Sequence, residues 1–516
     1  MCGKDNEPGF RDPDAVEYLK GLARKNVSGT HRIVCEHDGV STEYWLEGGE
    51  VRSRTIPSAA QAASSMAAFE AAALSGFAKL VPNLERELGG KEVADLDGIE
   101  IAIRDVTHSS GAALYKSLLE RVDAELPTPD CPKCGKPMER HRKLGKSFAS
   151  RLGPVEVERT YCLCRDCGTG FFPLDRALGL EGQTATPGAV SMVADTVVSD
   201  SYEEASRKLR NLAGVKVPAT TLRRWTREIG EEVQQFEREV VAEGVSGADR
   251  VYIEVDGTGV PMRRSETEGV KGKQEDGSAR TREAKVIVTF TAEGTHPKTG
   301  EPTKDEGSDT LSALIDSAAA IGGISRASEF AARLDRQLCR DGVYNAQEVV
   351  LVSDGAAWIT NVVDELLAGM RKTYILDVFH ALEYASAALK ALVTCDVAHK
   401  AYLAEVKARL LNGDVAGVIA DLRPRRDRCK DVARCIDYFE ANKERMRYDA
   451  YRARGMQVGS GQIESSCKQM VVTRFKRSGC KWSVRGANAL MAMKSCWKNL
   501  QWEEFALWKA ERIAAG

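Results

Sequence analysis

Apolar positions along the chain change their period several times, and each change marks an element or a boundary. Residues 1–55 hold polar turns around two short β-like runs, Arg32–Cys35 and Glu43–Leu46, on either side of Asp38-Gly39, which predicts a hairpin. From Ala59 to Glu125 the pattern is helical, Ala-rich at first and then with Leu114, Leu118, Leu119 and Val122 on one face; Pro127 and Pro129 end it. Residues 130–175 are rich in Cys, Gly and Lys and read as strands at Ser147–Leu152 and Val155–Tyr161, joined by Gly153-Pro154. Helical period returns over 184–243. From Arg250 the runs Val251–Val255, Lys285–Phe290, Val349–Ser353 and Thr373–Leu376 alternate with helical stretches, the pattern of an α/β core. Residues 383–455 read as almost wholly helical. The predicted organisation is therefore a multidomain α+β chain: a β-rich segment of unread purpose (1–55), a helical region (56–129), a cysteine-rich module (130–175), a helical region (184–243), an α/β core (250–382), a helical insertion (383–455), a loop, helix and basic stretch (456–500) and a tail (501–516).

Composition narrows the class. A length of 516 residues predicts several folding units, and 43% hydrophobic with 29% charged residues excludes disordered and collagenous chains. No uncharged apolar run is long enough to span a bilayer, since Ile56–Val81 is broken by Gln61, Glu70 and Lys79. The start Met1-Cys2-Gly3-Lys4-Asp5 lacks the apolar region of a signal peptide, so a cytoplasmic protein without a membrane partner is expected. In that reducing compartment 14 cysteines are not a disulfide framework, and clustered ones suggest metal.

Two C-x-x-C-G units, Cys131–Gly135 and Cys164–Gly168, are separated by 29 residues between Cys134 and Cys164. Each places two thiolates on a tight turn, and two such turns complete a tetrahedral site for one structural Zn²⁺, as in a zinc ribbon. Cys162 is a competing ligand for the second turn. Tyr202–Leu212, the break at Gly214, the turn Val215–Pro218 and a second helix from Ala219 form a helix-turn-helix candidate. Residues 205–228 carry 7 basic and 1 acidic side chain, and Lys216, Arg223, Arg224 and Arg227 are the expected DNA contacts. The formal balance of 73 basic and 75 acidic residues hides such patches.

Asp256 and Asp354 each end a hydrophobic β-run and precede Gly. Glu464 lies in the first turn of an apparent helix after the loop Gly459-Ser460-Gly461. Three carboxylates from separate elements can converge at strand ends and hold two Mg²⁺ ions, with Glu254 as a rival ligand on the same strand. From Lys468 to Lys498 there are 8 basic residues and no acidic one, a further surface for a polyanion that includes Arg474, Lys476, Arg477, Lys481 and Trp482.

At Asp256–Met262, Val352–Trp358, Ile375–Glu383, Gly459–Lys468 and Arg474–Trp482 the sequence resembles bacterial insertion-sequence DDE transposases, most closely the Kra-type family, relatives of Mutator-like transposases. The resemblance covers roughly residues 100–500. It implies an RNase H-like catalytic core interrupted by an all-helical insertion, with Asp256, Asp354 and Glu464 as the triad. Asp377 and His380 resemble an accessory D-x-x-H element. It further implies binding of terminal inverted repeats and target DNA, cleavage and strand transfer with Mg²⁺ or Mn²⁺, a homodimer or higher oligomer on DNA, and association with the nucleoid. The rival readings are a non-catalytic DNA-binding regulator derived from such an enzyme, and a zinc-ribbon nuclease acting on RNA or DNA junctions.

Overall fold

The computed structural model describes residues 95–515, apart from 241–243, 245–247, 273, 275–276, 299 and 317–327; before residue 95 it describes the backbone of three strands and isolated positions between 78 and 89. The helical reading of residues 59–94 thus falls almost wholly outside the described residues. The three strands are β1 (Arg32–His37), β2 (Val40–Glu47) and β3 (Glu50–Ile56), an antiparallel meander. Strands β1 and β2 meet at His37↔Val40, so the hairpin turns where Asp38-Gly39 predicts, and β3 extends it beyond the sequence reading.

Two compact units divide the chain, one of residues 1–147 and 152–174, the other of residues 148–151 and 175–516. In the first, α1 (Leu96–Glu125) starts where the Asp95 carboxylate accepts from Gly98 N–H and stops ahead of Pro127, before which helical backbone is disfavoured. It lies against a sheet in the order β4 (Glu139–Ser150), β5 (Gly153–Leu163), β6 (Gly170–Phe171). Asp123, buried on α1, accepts from Thr160 N–H at 3.0 Å and from its hydroxyl at 2.6 Å, fastening helix to strand. Both long strands outrun the sequence reading. The chain reverses at Arg151-Leu152, and Gly153 enters β5 at φ +101°.

The second unit is built on a five-stranded sheet. Its elements in chain order are α2 (Pro187–Val197), α3 (Tyr202–Ala213), α4 (Ala219–Glu239), β7 (Arg250–Pro261), β8 (Thr281–Phe290), β9 (Thr310–Leu314), α5 (Glu329–Arg340), β10 (Glu348–Ser353), α6 (Ala357–Leu366) and β11 (Lys372–Leu376). Then follow α7 (Val378–Leu392), α8 (Asp396–Leu411), α9 (Val415–Leu422), α10 (Lys430–Asn442), α11 (Tyr448–Ala453), α12 (Gly461–Cys467), α13 (Val484–Lys498) and α14 (Trp502–Ala515). The strand order is β9-β8-β7-β10-β11. Pairing is antiparallel from β9 to β7 and parallel from β7 to β11.

Because side chains alternate across a strand, the sheet buries two faces at once. Val251, Ile253, Val255, Val349 and Leu351 pack on Phe330, Leu334 and Leu338 of α5 and Ile359, Val362 and Val363 of α6. Tyr252, Val286, Val288, Val350, Val352 and Ile375 join the other core, which also takes the apolar faces of α2, α3, α4, α13 and the helices after β11. The helix pair α3–α4 is therefore no free-standing module. Gly230 of α4 lets its backbone meet α13, for a Cβ there would stand 2.1 Å from the Ala489 carbonyl oxygen. The chain is a mixed α+β protein, and among the described residues no helix is long and apolar enough to cross a membrane.

Candidate functional site

In the first unit the two C-x-x-C-G turns are near copies. Gly135 N–H donates to the Cys131 carbonyl at 2.9 Å and Gly168 N–H to that of Cys164 at 3.0 Å; both glycines take left-handed φ, +70° and +71°. The turns bring Cys131, Cys134, Cys164 and Cys167 together with all four Sγ atoms within 4.8 Å of one another. Across the turns Cys131 and Cys167 lie 3.4 Å apart and Cys134 and Cys164 3.5 Å. Tetrahedral thiolates about ~2.3 Å from zinc are about 3.8 Å apart, so the set can hold one structural metal ion such as zinc with little adjustment. Cys162 is buried beside the group but is not part of it.

The acidic residues meet in the second unit, and strand register explains how. Val352 of β10 pairs with Glu254 of β7, which sets Asp354, two residues on, level with Asp256. Ser353 pairs with Leu376 of β11, which sets Asp354 level with Asp377. Three aspartates thus stand in a row, Asp354 and Asp377 just past the carboxyl ends of β10 and β11, where α/β sheets open their crevices. Asp256 does not end its strand as the sequence predicts: β7 runs on to Pro261, paired with β8, and only its parallel pairing with β10 stops short of Asp256. A cavity of about 180 Å³ is lined there by Asp256, Asp354, Asp377, His380, Glu383 and Glu464. Burial and the neighbouring Asp354 charge raise the Asp256 carboxyl above its usual range, although Gly257 N–H donates to it at 2.6 Å. The Cys467 thiol, one turn after Glu464, also donates to Asp256, at 3.7 Å. Asp354 accepts from Ala356 N–H at 2.9 Å, and its backbone carbonyl accepts from the Tyr438 hydroxyl at 2.6 Å.

The row does not have three equivalent members. Asp377 is buried and its oxygens accept from Phe379 N–H, His380 N–H, Ser460 N–H and the Ser460 hydroxyl, the last at 2.6 Å. It caps α7 and grips the Gly459–Gly461 loop, so it positions the site and is not a free ligand. Glu254 is fully buried and outside the cavity lining; one oxygen accepts from Ile463 N–H at 2.7 Å and the other has no partner among the described residues. Burial, and then the Asp377 charge, push its carboxyl up to about 8. The expected rival ligand is thus a neutral anchor beneath the helix carrying Glu464. His380 does face the cavity, edge-on to Tyr384 and Tyr438, with Nδ1 3.3 Å from Glu383. Among the described residues only the four cysteines hold three or more ligand atoms all within 4.8 Å; the acidic set is spread more widely.

The basic positions divide in two. Lys216 is exposed in the turn before α4, and Arg223, Arg224 and Arg227 are exposed on the first turns of α4, opposite the buried face of Leu222, Trp225, Ile229 and Val233, with Arg224 3.6 Å from Glu228. Gly214 closes α3 at φ +66°, and buried Val215 and Val217 fix the intervening turn. Lys476 and Lys481 are also exposed, Lys476 donating to Thr258 at 2.7 Å beside the Asp256 strand. Arg474 and Trp482, expected on a polyanion surface, are core residues. Arg474 is 1% exposed, donates to the Val197 carbonyl at 2.9 Å and lies 4.9 Å from the rings of both Tyr202 and Trp482. The Trp482 indole donates to the Phe475 carbonyl at 3.1 Å. Arg477 is ion-paired to Glu204. Sequence reasoning missed Ser460, Cys467 and Tyr438; only Ser460, set between two glycines of the launching loop, carries a local signal.

Residues 90–285 match the model of an uncharacterised protein family, UPF0236. That match, under half the chain, takes in the four cysteines, the α3–α4 pair and Asp256, and stops before Asp354 and Glu464. No curated protein matches the chain.

Proposed function

We propose that the protein is a DDE transposase that binds the terminal inverted repeats of its element and catalyses metal-dependent DNA cleavage and strand transfer. The observation that carries this reading is the convergence of Asp256, Asp354 and Glu464 on one cavity where the parallel pairing of β7 with β10 ends. The strand order β9-β8-β7-β10-β11 agrees with an RNase H-like core, and α7–α11 with the helical insertion. The matched family is associated with transposase-like proteins. The carboxylates offer the hard oxygen donors that suit two Mg²⁺ ions or Mn²⁺, and their spread leaves room for the waters such ions keep. Bound there, metal supplies nucleophile activation and leaving-group stabilisation. Asp377 and Glu254 hold the start of α12 so that Glu464 reaches the cavity. Lys216, Arg223, Arg224 and Arg227, at the head of the second helix of a helix-turn-helix, would meet the end DNA, and one protomer on each element end calls for at least a homodimer.

The test is cleavage of duplexes carrying the DNA that flanks the gene, with Mg²⁺ or Mn²⁺. Asp256→Asn, Asp354→Asn and Glu464→Gln should each lower cleavage by about a hundredfold or more with binding retained, and pairs of these changes should cost little beyond one. Near-normal cleavage by Asp354→Asn or Glu464→Gln refutes the triad. The wide carboxylate spacing favours one second reading, a DNA-binding regulator without catalysis, for which the same duplexes would be bound but cut with neither metal.

A further inference from the structure

The second unit holds another polar cavity, about 40 Å³, that shares no residue with the acidic one. Arg333, Arg336 and Arg340 line it from α5, facing Glu237 of α4 and the Asn499–Gln501 turn. The spacing i, i+3, i+7 puts the three guanidinium groups on one side of the helix. Their partners are unequal. Arg333 is 6% exposed; it meets Glu237 at 2.6 Å and the Ala313 carbonyl at 3.5 Å, while its Nε has no partner. Arg340 meets Glu504 at 3.4 Å and the Val240 carbonyl at 3.3 Å. Arg336 is partly buried and has no ion pair or hydrogen bond among the described residues. The charges around it are Arg333 and Arg238 against Glu237 and Glu329, and burial followed by Arg333 lowers its pKa from the ordinary arginine value.

A partly desolvated cation that no hydrogen bond or ion pair engages among the described residues is costly, and the one carboxylate among the lining residues, Glu237, is turned to Arg333 through Oε2. The nearby hydroxyls turn their protons elsewhere, Thr310 donating to Asp341 at 3.0 Å and Ser312 to Gln337 at 2.6 Å. The mouth is fixed: Asn499 both donates to and accepts from the Leu311 backbone at 2.9 Å, and Leu500 takes φ +57°, a conformation apolar residues avoid. At roughly 10–15 Å³ per water in such a measure, the cavity admits a group of about three small atoms with the remainder at the open mouth. Guanidinium donors around such an opening suit a tetrahedral oxyanion seated partly in the cavity and partly in its mouth.

We propose that this cavity binds a tetrahedral oxyanion of the phosphate class, held by the Arg336 guanidinium and Arg333 Nε. The proposal does not rest on the transposase reading, and the anion can be free phosphate or a phosphate of a polynucleotide. The experiment is thermal melting of the full chain in increasing inorganic phosphate against chloride at matched ionic strength and pH. A saturable rise in Tm is expected with phosphate. In Arg336→Gln the half-saturating phosphate concentration should climb at least about tenfold while the phosphate-free Tm stays equal or increases, since an unpaired cation is removed. Three results overturn the proposal: no rise beyond chloride, an equal rise in Arg336→Gln, or a lower phosphate-free Tm in that variant, which would make Arg336 an internal partner. If instead Arg223→Ala with Arg224→Ala removes the rise, the anion sits on α4 and the proposal also fails. With the site established, duplex DNA separates the sources: a salt slope reduced by about 0.9 in Arg336→Gln means a backbone phosphate, and an unchanged slope means the free anion.

Discussion

Glu254 shows how a carboxylate can serve a site without entering it. It sits two residues before Asp256, on the same strand, yet burial keeps it protonated and its work is to receive Ile463 N–H beneath the Glu464 helix. Its folded pKa of about 8 lies above the ordinary 4.5, so between those pH values the folded state binds more protons than the unfolded chain. Stability from this group is therefore complete below about pH 4.5 and lost as pH rises toward 8. Glu254→Gln keeps the acceptor for Ile463 and removes the ionisation, so its Tm should exceed that of the parent above pH 8 and the difference should fade toward pH 5, with a ceiling of ~3–5 kcal/mol. Melting curves across that range check this; a variant less stable at every pH would mean that the charge is tolerated. Arg474 is the reverse case. Sequence counts it among eight like charges, but the Tyr202 and Trp482 rings and the Val197 carbonyl take it into the core, where its stem and planar head pack like an aromatic residue.

Much of the element order was legible because parallel strands buried on both faces read as continuous apolar runs, as at Val349–Val352, and because Asp354-Gly355 marks the end of one; Asp256-Gly257 misled, since β7 runs through it to Pro261. Strand β9 was not, since Thr310-Leu-Ser-Ala-Leu is short and small and its place at the sheet edge follows only from pairing with β8. The alignment of Asp256, Asp354 and Asp377 was hidden too, because register is a tertiary quantity; the place of Asp354 and Asp377 just after strands was the legible part. So was the doubled cysteine turn, whose chemistry lies within five residues. The separation of Arg474 and Trp482 from Lys476 and Lys481 was invisible, as a basic run does not reveal which of its members face inward. The embedding of α4 is likewise a matter of packing, and Gly230 is its checkpoint. Gly230→Ala drives a methyl into the Ala489 carbonyl, so α4 and α13 must part, with an expected loss of about 3 kcal/mol in denaturant melts. A loss below about 0.5 kcal/mol would show that the helices have slack.

The division into two units gives the molecule two separable stabilities. Around the four-thiol cluster of the first unit, Cys131, Met138, Cys162 and Cys164 form a small core of their own. Metal binding at such a cluster is largely folding energy. Calorimetry should therefore show two transitions, with a strong chelator abolishing or lowering only that of the cysteine module, and metal analysis should find about one zinc per chain. A single transition unaffected by chelator, in protein free of zinc, would remove the metal assignment. The second unit behaves otherwise, because the exposed cations of α4 and the acidic cavity are carried on one continuous core running from Leu222 and Trp225 through α13 to Val350 and Val352. The surface that would read a duplex and the groups that would cut it thus share one core. If the proposed reading holds, the protein would in this respect be a caliper with a fixed gap: the place of the cut along the DNA would be measured off by the shared core, as a set number of base pairs from the sequence gripped, and not chosen by the swing of a tethered head.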